Sequence, residues 1–388
     1  MKRLCIGLLA AVCVFVFFPH TADAGKPPVQ ASPRAVEHNN RGALLLEEGR
    51  LDQAEFELKT AIQLSPDYAE AYNNLGIVYK KRNQLDLALT HFQKAAALNK
   101  DYTAPLSHIG AIYITQGRYD TAIEILTKAI NRERTFAYAV YNLGLAFLMK
   151  AREEPDHKKK EKWYAEAEKQ LTDATQLNPK LLEAHLNLGD LYVERGDLEK
   201  AEIRFRLALE DNPNNPKIYQ QLVNVLRQRG KTREANELQT RGQQVGREVQ
   251  AKEHFEAGYR LAEEGENMAA EGKKDAARVA FQRAAQSFQA ALKVKPKMPE
   301  ATYALGVVQE RLGNHAAARK SWEQTLALVP DHPGALFNLG TLAFHEGRTS
   351  EGLVDYCKFL RTGGAAYPQQ RAMVEQRLRE QNLRCPTS

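Results

Sequence analysis

Apolar residues recur along most of the chain at helical spacing, and the strict alternation of a β-strand is absent. In residues 69–82, for example, Leu75 and Tyr79 mark one side of a predicted helix, and residues 86–100 carry a second apolar stripe. The residues between these stripes, 83–85, are too few for anything but a turn. The pattern therefore predicts two amphipathic helices joined by a tight turn.

Small residues repeat this two-helix unit with a fixed period. Glycine recurs every 34 residues at Gly42, Gly76, Gly110 and Gly144, and again from Gly306 to Gly340. Alanine keeps the same period in the second helices, at Ala54, Ala88 and Ala122 and at Ala61, Ala95 and Ala129. A fixed period with several residue types in phase indicates a repeat array. We expect the small residues where paired helices approach closely, because a larger side chain would force the backbones apart.

This pattern of small and large positions resembles the tetratricopeptide repeat, a 34-residue helix–turn–helix, over nearly the whole chain beyond residue 34. The resemblance implies an all-α fold, a right-handed superhelical solenoid of helix–turn–helix repeats with a C-terminal capping helix. We assign nine repeats, at residues 35–68, 69–102, 103–136, 137–181, 182–215, 216–250, 251–298, 299–332 and 333–366. Residues 25–34 are expected to form a flexible lead-in, and residues 367–388 a capping helix and tail.

Three of these repeats depart from the pattern. Repeat 4 has an insertion near residues 150–160, which we expect as a surface loop or a helix extension. Repeat 7 has one near residues 262–276, which we expect to lengthen its paired helices. Repeat 6 has Val223 where the glycine belongs and Gly242 where an alanine belongs, so its packing is expected to be degenerate.

Residues 1–24 have the composition of a secretory signal peptide. A basic head precedes an apolar run from Leu4 to Phe18, and Ala22 to Ala24 has the small-x-small form of a cleavage site. The 15-residue run is short for a membrane span, which needs about 20 residues. Cleavage after Ala24 would leave an exported, periplasmic protein with no stable membrane insertion. The alternative is an N-terminal anchor that stays in the inner membrane.

The mature chain would keep two cysteines, Cys357 and Cys385. Such a pair in an oxidising compartment invites a disulfide. However, Cys357 lies near the end of one predicted helix, and Cys385 lies beyond the far end of the next, antiparallel one. Helix rise alone would separate them by about 15–20 Å. We therefore expect no bond unless the tail folds back.

The sequence carries no recognisable catalytic chemistry. It has no phosphate-binding loop, no dinucleotide fingerprint, no serine-hydrolase elbow and no Cys-x-x-Cys. Nearly every residue beyond 34 is already assigned to a repeat, which leaves no room for a catalytic domain. The charge of +6 is mild and scattered, which gives little support to nucleic-acid binding. We predict no enzyme, no cofactor and no metal site.

An asparagine precedes Leu-Gly, or its counterpart, in several of the first helices. These ladder asparagines are Asn40, Asn74, Asn142, Asn187 and Asn338. In tetratricopeptide arrays the first helices line the concave face, so the resemblance and helical geometry together place these amides in the groove. A primary amide can pair with the N–H and C=O of an extended peptide, as in the similar array of O-GlcNAc transferase. The alternative is that the amides bond to water or to the neighbouring repeat.

The stretch from Phe136 to Lys150 is apolar on almost every side. Its groove side is expected to carry an aromatic and flexible apolar cluster, which we call the α7 patch: Tyr138, Tyr141, Leu145, Leu148 and Met149. An ordinary surface helix keeps one polar face, so this cluster indicates an interaction site. The alternative is that the superhelix or the inserted segment covers it.

These features predict a non-enzymatic, exported protein–protein interaction scaffold. Its concave groove would bind an extended or helical segment of another protein. The alternative is a structural or chaperone-like assembly subunit of a cell-envelope machine, of the kind that serves a pilus, outer-membrane biogenesis or polysaccharide export. Such a subunit would dock through its convex face.

Overall fold

The computed structural model describes residues 31–363 and 366–386, and these residues form helices and turns with no strand. The predicted signal peptide, and the first part of the predicted lead-in, lie outside the described residues. In chain order the helices are α1 (Pro33–Glu47), α2 (Leu51–Leu64), α3 (Ala69–Lys81), α4 (Leu85–Leu98), α5 (Ala104–Thr115), α6 (Tyr119–Arg132), α7 (Ala137–Glu153), α8 (His157–Leu177), α9 (Leu182–Glu194), α10 (Leu198–Asp211), α11 (Pro216–Gln228), α12 (Thr232–Ala270), α13 (Lys274–Val294), α14 (Pro299–Arg311), α15 (His315–Leu328), α16 (Pro333–His345), α17 (Thr349–Thr362) and α18 (Pro368–Glu380). The all-α prediction is confirmed.

The chain divides into two compact units at Leu191, inside α9. In the first unit, α1 packs on α2, α3 on α4, α5 on α6 and α7 on α8, and successive pairs meet through α2–α3, α4–α5 and α6–α7. In the second unit, each helix from α10 to α18 packs against the next along the chain. Each unit is therefore a stack of consecutive helix pairs. Across the described residues, no helix is both long and apolar enough to cross a bilayer.

A single left-handed residue makes the turn within most helix pairs. In the first unit these residues are Gly49, Asn83 and Gly117, with φ of 75°, 59° and 71°. Glycine and asparagine adopt this conformation at the least steric cost, which is why they follow the end of a helix. The turn reverses the chain within three or four residues, so the second helix returns along the first.

The recurring glycines lie where the two helices of a pair touch, as predicted. A Cβ built on Gly76 would lie 2.7 Å from the ring of Phe92, and one on Gly110 would lie 2.5 Å from Leu126. On Gly340 it would lie 2.4 Å from the ring of Tyr356. Each glycine on a first helix thus receives a large side chain from the second helix, and no larger residue fits without a shift.

The insertion in repeat 4 is a helix extension. Helices α7 and α8 are 17 and 21 residues long, against 13 to 14 in the regular pair α3–α4. The N-terminus of α8 is fixed by Asp156, whose side chain accepts a hydrogen bond from the N–H of Lys159 at 2.8 Å. The inserted residues therefore lengthen both helices and leave only a short connection between them.

No turn separates repeats 6 and 7 at the predicted boundary, residues 250–251. One continuous helix of 39 residues, α12, runs through that boundary without a turn. Repeat 6 also reverses the usual packing, because a Cβ on Gly242 of α12 would lie 2.6 Å from Cβ of Tyr219 on α11. Further along α12, Gly258 and Gly265 receive Phe288 and Phe281 of α13. The predicted lengthening of the paired helices in repeat 7 is therefore present.

The first helix begins earlier than predicted. Helix α1 begins at Pro33, inside the segment assigned to the flexible lead-in. The hydroxyl of Ser32 accepts a hydrogen bond from the N–H of Ala35 at 3.2 Å, and Pro33 takes the first helical position, where its missing N–H costs nothing.

Cys357 and Cys385 form the disulfide that the sequence allowed only if the tail folds back. Their sulfurs are joined at 1.99 Å, with Cα atoms 5.4 Å apart. The chain reverses directly after α18, where Asn382 has a φ of 54° and the N–H of Leu383 donates to the carbonyl of Leu378 at 2.8 Å. This turn folds the tail back, which is the condition that the sequence left open, and carries Cys385 to α17.

Candidate functional site

Four of the five ladder asparagines donate a hydrogen bond to the preceding first helix. The amide nitrogen of Asn74 donates to Oδ1 of Asn39 at 2.9 Å. That of Asn142 donates to Oγ of Ser107 at 2.9 Å, and that of Asn187 to the hydroxyl of Tyr141 at 3.1 Å. In the second unit, Asn338 donates to the hydroxyl of Tyr303 at 3.5 Å. We call each such pair a rung. The rungs tie successive first helices to one another.

The acceptors of the rungs share one position, which the sequence analysis missed. Asn39, Ser107, Tyr141 and Tyr303 each lie one residue before the ladder position of their own helix. Three of the rungs therefore span 35 residues, one more than the period, and the fourth spans 46 because of the repeat 4 insertion. The signal available in the sequence was a polar side chain 35 residues before Asn74, Asn142 and Asn338, and 46 residues before Asn187.

The rungs use only half of each ladder amide. The oxygens of Asn74, Asn142, Asn187 and Asn338 accept no hydrogen bond from any residue that the structure describes. All four side chains are half-buried, so these oxygens lie at the edge of the packed surface. An amide whose nitrogen is held in this way presents a fixed acceptor.

Asn40 differs from the other four ladder asparagines. It is exposed on α1, and no hydrogen bond joins its side chain to another described residue. The residue before it, Asn39, is instead the buried one, at 6% exposure, and its amide nitrogen donates to the hydroxyl of Tyr68 at 3.3 Å. The ladder within the described residues therefore begins with Asn39 and Asn74.

One rung is open. Asn73 stands 35 residues before His108, but Oδ1 of Asn73 is buried and has no partner among the described residues. The imidazole of His108 turns to the core instead and stacks on Phe92, with ring centroids 4.8 Å apart. Burial, with a smaller effect of the charge on Lys80, lowers the pKa of His108 to about 4, so the ring is neutral at pH 7.

The two tyrosines that accept hydrogen bonds in the rungs stay protonated at neutral pH. Burial and, to a smaller extent, the charge of Glu183 raise the pKa of Tyr141 to about 12, and the hydrogen bond from Asn187 works in the opposite direction. Burial likewise raises the pKa of Tyr303. The two tyrosine hydroxyls therefore remain neutral acceptors for Asn187 and Asn338 across the physiological range.

The structure disperses the α7 patch. Leu148 is fully buried, so its place in the predicted groove surface is wrong. Leu145 and Met149 are half-buried against a core cluster that α5, α6 and α7 build together. Tyr141 is half-buried as a rung acceptor, and Tyr138 alone is exposed, at 53%. The stretch has almost no polar residue to mark its solvent side, so the sequence could not tell which apolar residues pack inward.

Family profiles identify this arrangement. Profiles described as tetratricopeptide repeat match residues 69–102, 106–136, 160–226, 270–327 and 311–370, and one described as TPR repeat matches residues 42–82. The chain belongs to the tetratricopeptide repeat family. Proteins built from this repeat are protein-interaction scaffolds, and the fold places this chain in that class.

Several solved structures are similar over part of the chain. PilF of Pseudomonas aeruginosa is 19% identical, over 56% of this chain and 91% of that chain, with a TM-score of 0.45. PilW, described as a type IV pilus biogenesis factor, is 16% identical, over 54% and 91%, with a TM-score of 0.46. A tetratricopeptide repeat protein of Parabacteroides merdae is 18% identical, over 74% and 100%, with a TM-score of 0.40. No curated protein matched the chain.

Proposed function

We propose that this chain is an exported, non-enzymatic scaffold that binds an extended segment of a partner protein along the ladder asparagines of the first unit, Asn74, Asn142 and Asn187. The observation that carries the proposal is that the amide of each rung is hydrogen-bonded through its nitrogen and, within the part of the chain that the structure describes, not through its oxygen. Its nitrogen is held by the preceding first helix, and its oxygen has no partner among the described residues. A row of fixed acceptors suits the backbone N–H groups of an extended segment, whatever its side chains.

This differs from a ladder whose amides both donate and accept. Each closed rung already uses an N–H of the ladder amide, whereas the amide oxygen has no partner among the described residues, so the ladder offers mainly acceptors and the partner supplies the donors. An acceptor held in one orientation loses less conformational entropy on binding than a freely rotating side chain. Each ladder amide would therefore bond to the neighbouring repeat through its nitrogen and to the partner through its oxygen. The two interpretations that the sequence left open, packing between repeats and peptide binding, would then both hold.

Export rests on two independent features. Residues 1–24 have a basic head, a short apolar run and a small-x-small cleavage site. The Cys357–Cys385 disulfide is the kind of bond that persists in an oxidising compartment such as the periplasm. We therefore propose a periplasmic location, with an uncleaved inner-membrane anchor as the alternative outcome of N-terminal sequencing.

The two ends of one rung provide the sharpest test. Ser107→Ala and Asn142→Ala both remove the hydrogen bond between these side chains, but only Asn142→Ala removes the amide oxygen. Asn131→Ala, on the exposed surface of the second helix α6, is a matched control for the asparagine substitution. The readout is capture of proteins from a cell-envelope extract by each purified variant, identified by mass spectrometry.

We expect the unchanged protein, Ser107→Ala and Asn131→Ala to capture the same proteins, and Asn142→Ala to lose them. Tyr141→Phe and Asn187→Ala give a second pair with the same logic, since the phenylalanine keeps the ring and removes only the hydroxyl acceptor. Equal capture by all folded variants would reject the ladder as the binding surface.

A second candidate function has its own observation. The second helices expose single large apolar side chains at matching positions, Phe56 at 69% in the first unit and Ile203 and Val354 at 53% and 65% in the second. A structural or chaperone-like assembly subunit would dock through these exposed side chains of its second helices. Phe56→Ser and Val354→Ser would then abolish capture, and the ladder variants would not affect it.

A further inference from the structure

We propose that the Cys357–Cys385 disulfide is a redox latch that holds α18 and the C-terminal tail against the last helix pair, and that a dithiol reductant releases them. The released segment would be α18 together with residues 381–386. The rest of the second unit would keep its packing. This inference is independent of the ladder and of the partner proposed above.

Helix α18 covers the apolar end of the last pair. Val374 and Leu378 are buried in one cluster with Leu336 and Phe344 of α16 and with Tyr356 and Phe359 of α17. Leu383 and Cys385 of the tail pack against the same cluster. The guanidinium of Arg377 also lies over the ring of Phe344, 5.6 Å from its centroid. Removal of this segment would expose large aromatic side chains.

The packing of α18 itself is slight. It buries two residues, whereas α16, of the same length, buries seven. Met373, at 51% exposure, is the large apolar side chain on its otherwise mostly polar outer surface. A helix of 13 residues is only marginally stable in isolation. Helix α18 therefore depends on the contacts and the covalent bond that hold it against α16 and α17.

The disulfide holds α18 in place from its C-terminal end. Cys357 lies in α17 at 2% exposure, and Cys385 follows α18, 28 residues further along the chain. The closed loop therefore contains the whole of α18, which is tied at both ends. With the bond broken, α18 is tied only through the chain that precedes it, and its effective concentration at the cluster falls.

The exposure of the two sulfurs sets the course of the reduction. A thiolate of the reductant attacks Sγ of Cys385, which is half-buried, because Sγ of Cys357 belongs to a buried residue. The S–S bond breaks, its electron pair goes to Sγ of Cys357, and that sulfur takes up a proton. The second thiol of the reductant then attacks the mixed disulfide and releases Cys385 as a thiol. The reductant supplies both electrons and leaves as a disulfide.

Hydrogen exchange of the full chain, read by mass spectrometry with and without dithiothreitol, tests the latch. We expect reduction to raise the exchange of the α18 amides at least tenfold and to leave α14 to α16 unchanged. Cys385→Ser should show the fast α18 exchange without reductant and should not respond to it. Met373→Ala, an exposed substitution on the same helix that keeps the bond, should behave as the unchanged protein.

Three results would overturn the proposal. One is equal protection of α18 before and after reduction, which would mean that its packing alone holds it. Another is loss of protection that spreads through α14 to α17, which would make the bond a staple for the whole unit. The third is a bond between two chains on non-reducing electrophoresis.

Discussion

Helix α5 carries members of two neighbouring rungs that have the same 35-residue spacing in the sequence. In the structure one of these rungs is closed by a hydrogen bond and the other is open. Ser107 accepts from Asn142 at 2.9 Å and closes its rung. One residue further on, His108 occupies the ladder position, turns to Phe92 and leaves Oδ1 of Asn73 without a partner among the described residues. An unmet buried acceptor costs about 1–3 kcal/mol, so the stack is weaker where α3 meets α5. A rung needs the right residue at both of its ends.

The largest expected effect comes from displacing α5, which carries one member of the closed rung and one member of the open rung. Gly110→Ala would place a Cβ 2.5 Å from Leu126 and shift α5, which carries one member of each rung. We expect the free energy of unfolding to fall by about 2 kcal/mol. Gly246→Ala is the matched control, because its Cβ would meet only Pro216 at 3.6 Å. Urea denaturation checks the pair, and equal losses in both variants would contradict the packing of α5.

The next effect is a dependence of stability on pH that comes from His108, the histidine of the open rung. The pKa of His108 is about 4 in the folded chain because of its burial, against an ordinary value of 6.5. The unfolded chain therefore takes up the proton first as the pH falls. The free energy of unfolding should drop by about 2 kcal/mol from pH 6.5 to pH 4 on account of this group.

His108→Asn removes this titration, so the difference between the stability curves of the two proteins isolates it from the other histidines. Thermal denaturation from pH 4 to pH 8 gives both curves. Parallel curves would show that His108 is not buried against Phe92.

The closed rung should be worth about 1 kcal/mol. Ser107→Ala should lower the free energy of unfolding by that amount, and Asn142→Ala by slightly more, because it also removes the bond from Asn142 to the carbonyl of Ser107 at 3.4 Å. The double variant should lose little more than Asn142→Ala alone. Asn40→Ala has no rung to lose and should change stability by less than about 0.5 kcal/mol. Fully additive losses in the cycle would indicate that the two side chains do not interact.

The smallest effect closes the open rung. At pH 7, His108→Asn offers Oδ1 of Asn73 an amide donor in the geometry of the other rungs, at the cost of the stacking on Phe92. We expect a net gain of about 0.5–1 kcal/mol in the free energy of unfolding. His108→Ala, which loses the stacking and brings no donor, should be less stable than the unchanged protein. A loss of stability in both variants would show that Asn73 is not reachable from residue 108.

Much of the site could have been found from the sequence, and the part that was missed has a physical cause. The asparagines were found because they stand beside the glycines that set the period. Their acceptors are asparagine, serine and tyrosine, which share no size or residue class, so no single letter recurs at that position. Only the hydrogen bonds show that these residues share one role, which is to accept a hydrogen bond from the asparagine of the next first helix: Asn39, Ser107, Tyr141 and Tyr303.

The sequence by itself determined the helix pairs and their contacts, because a glycine opposite a large side chain every 34 residues admits one close packing of two helices. The tertiary structure alone decided three matters: that α12 runs on without a turn, that Leu148 packs inward, and that Cys385 returns to Cys357. Local periodicity reports which residues share a side of a helix. Which side is covered, and where a tail goes after its helix ends, depends on contacts between residues far apart in the chain.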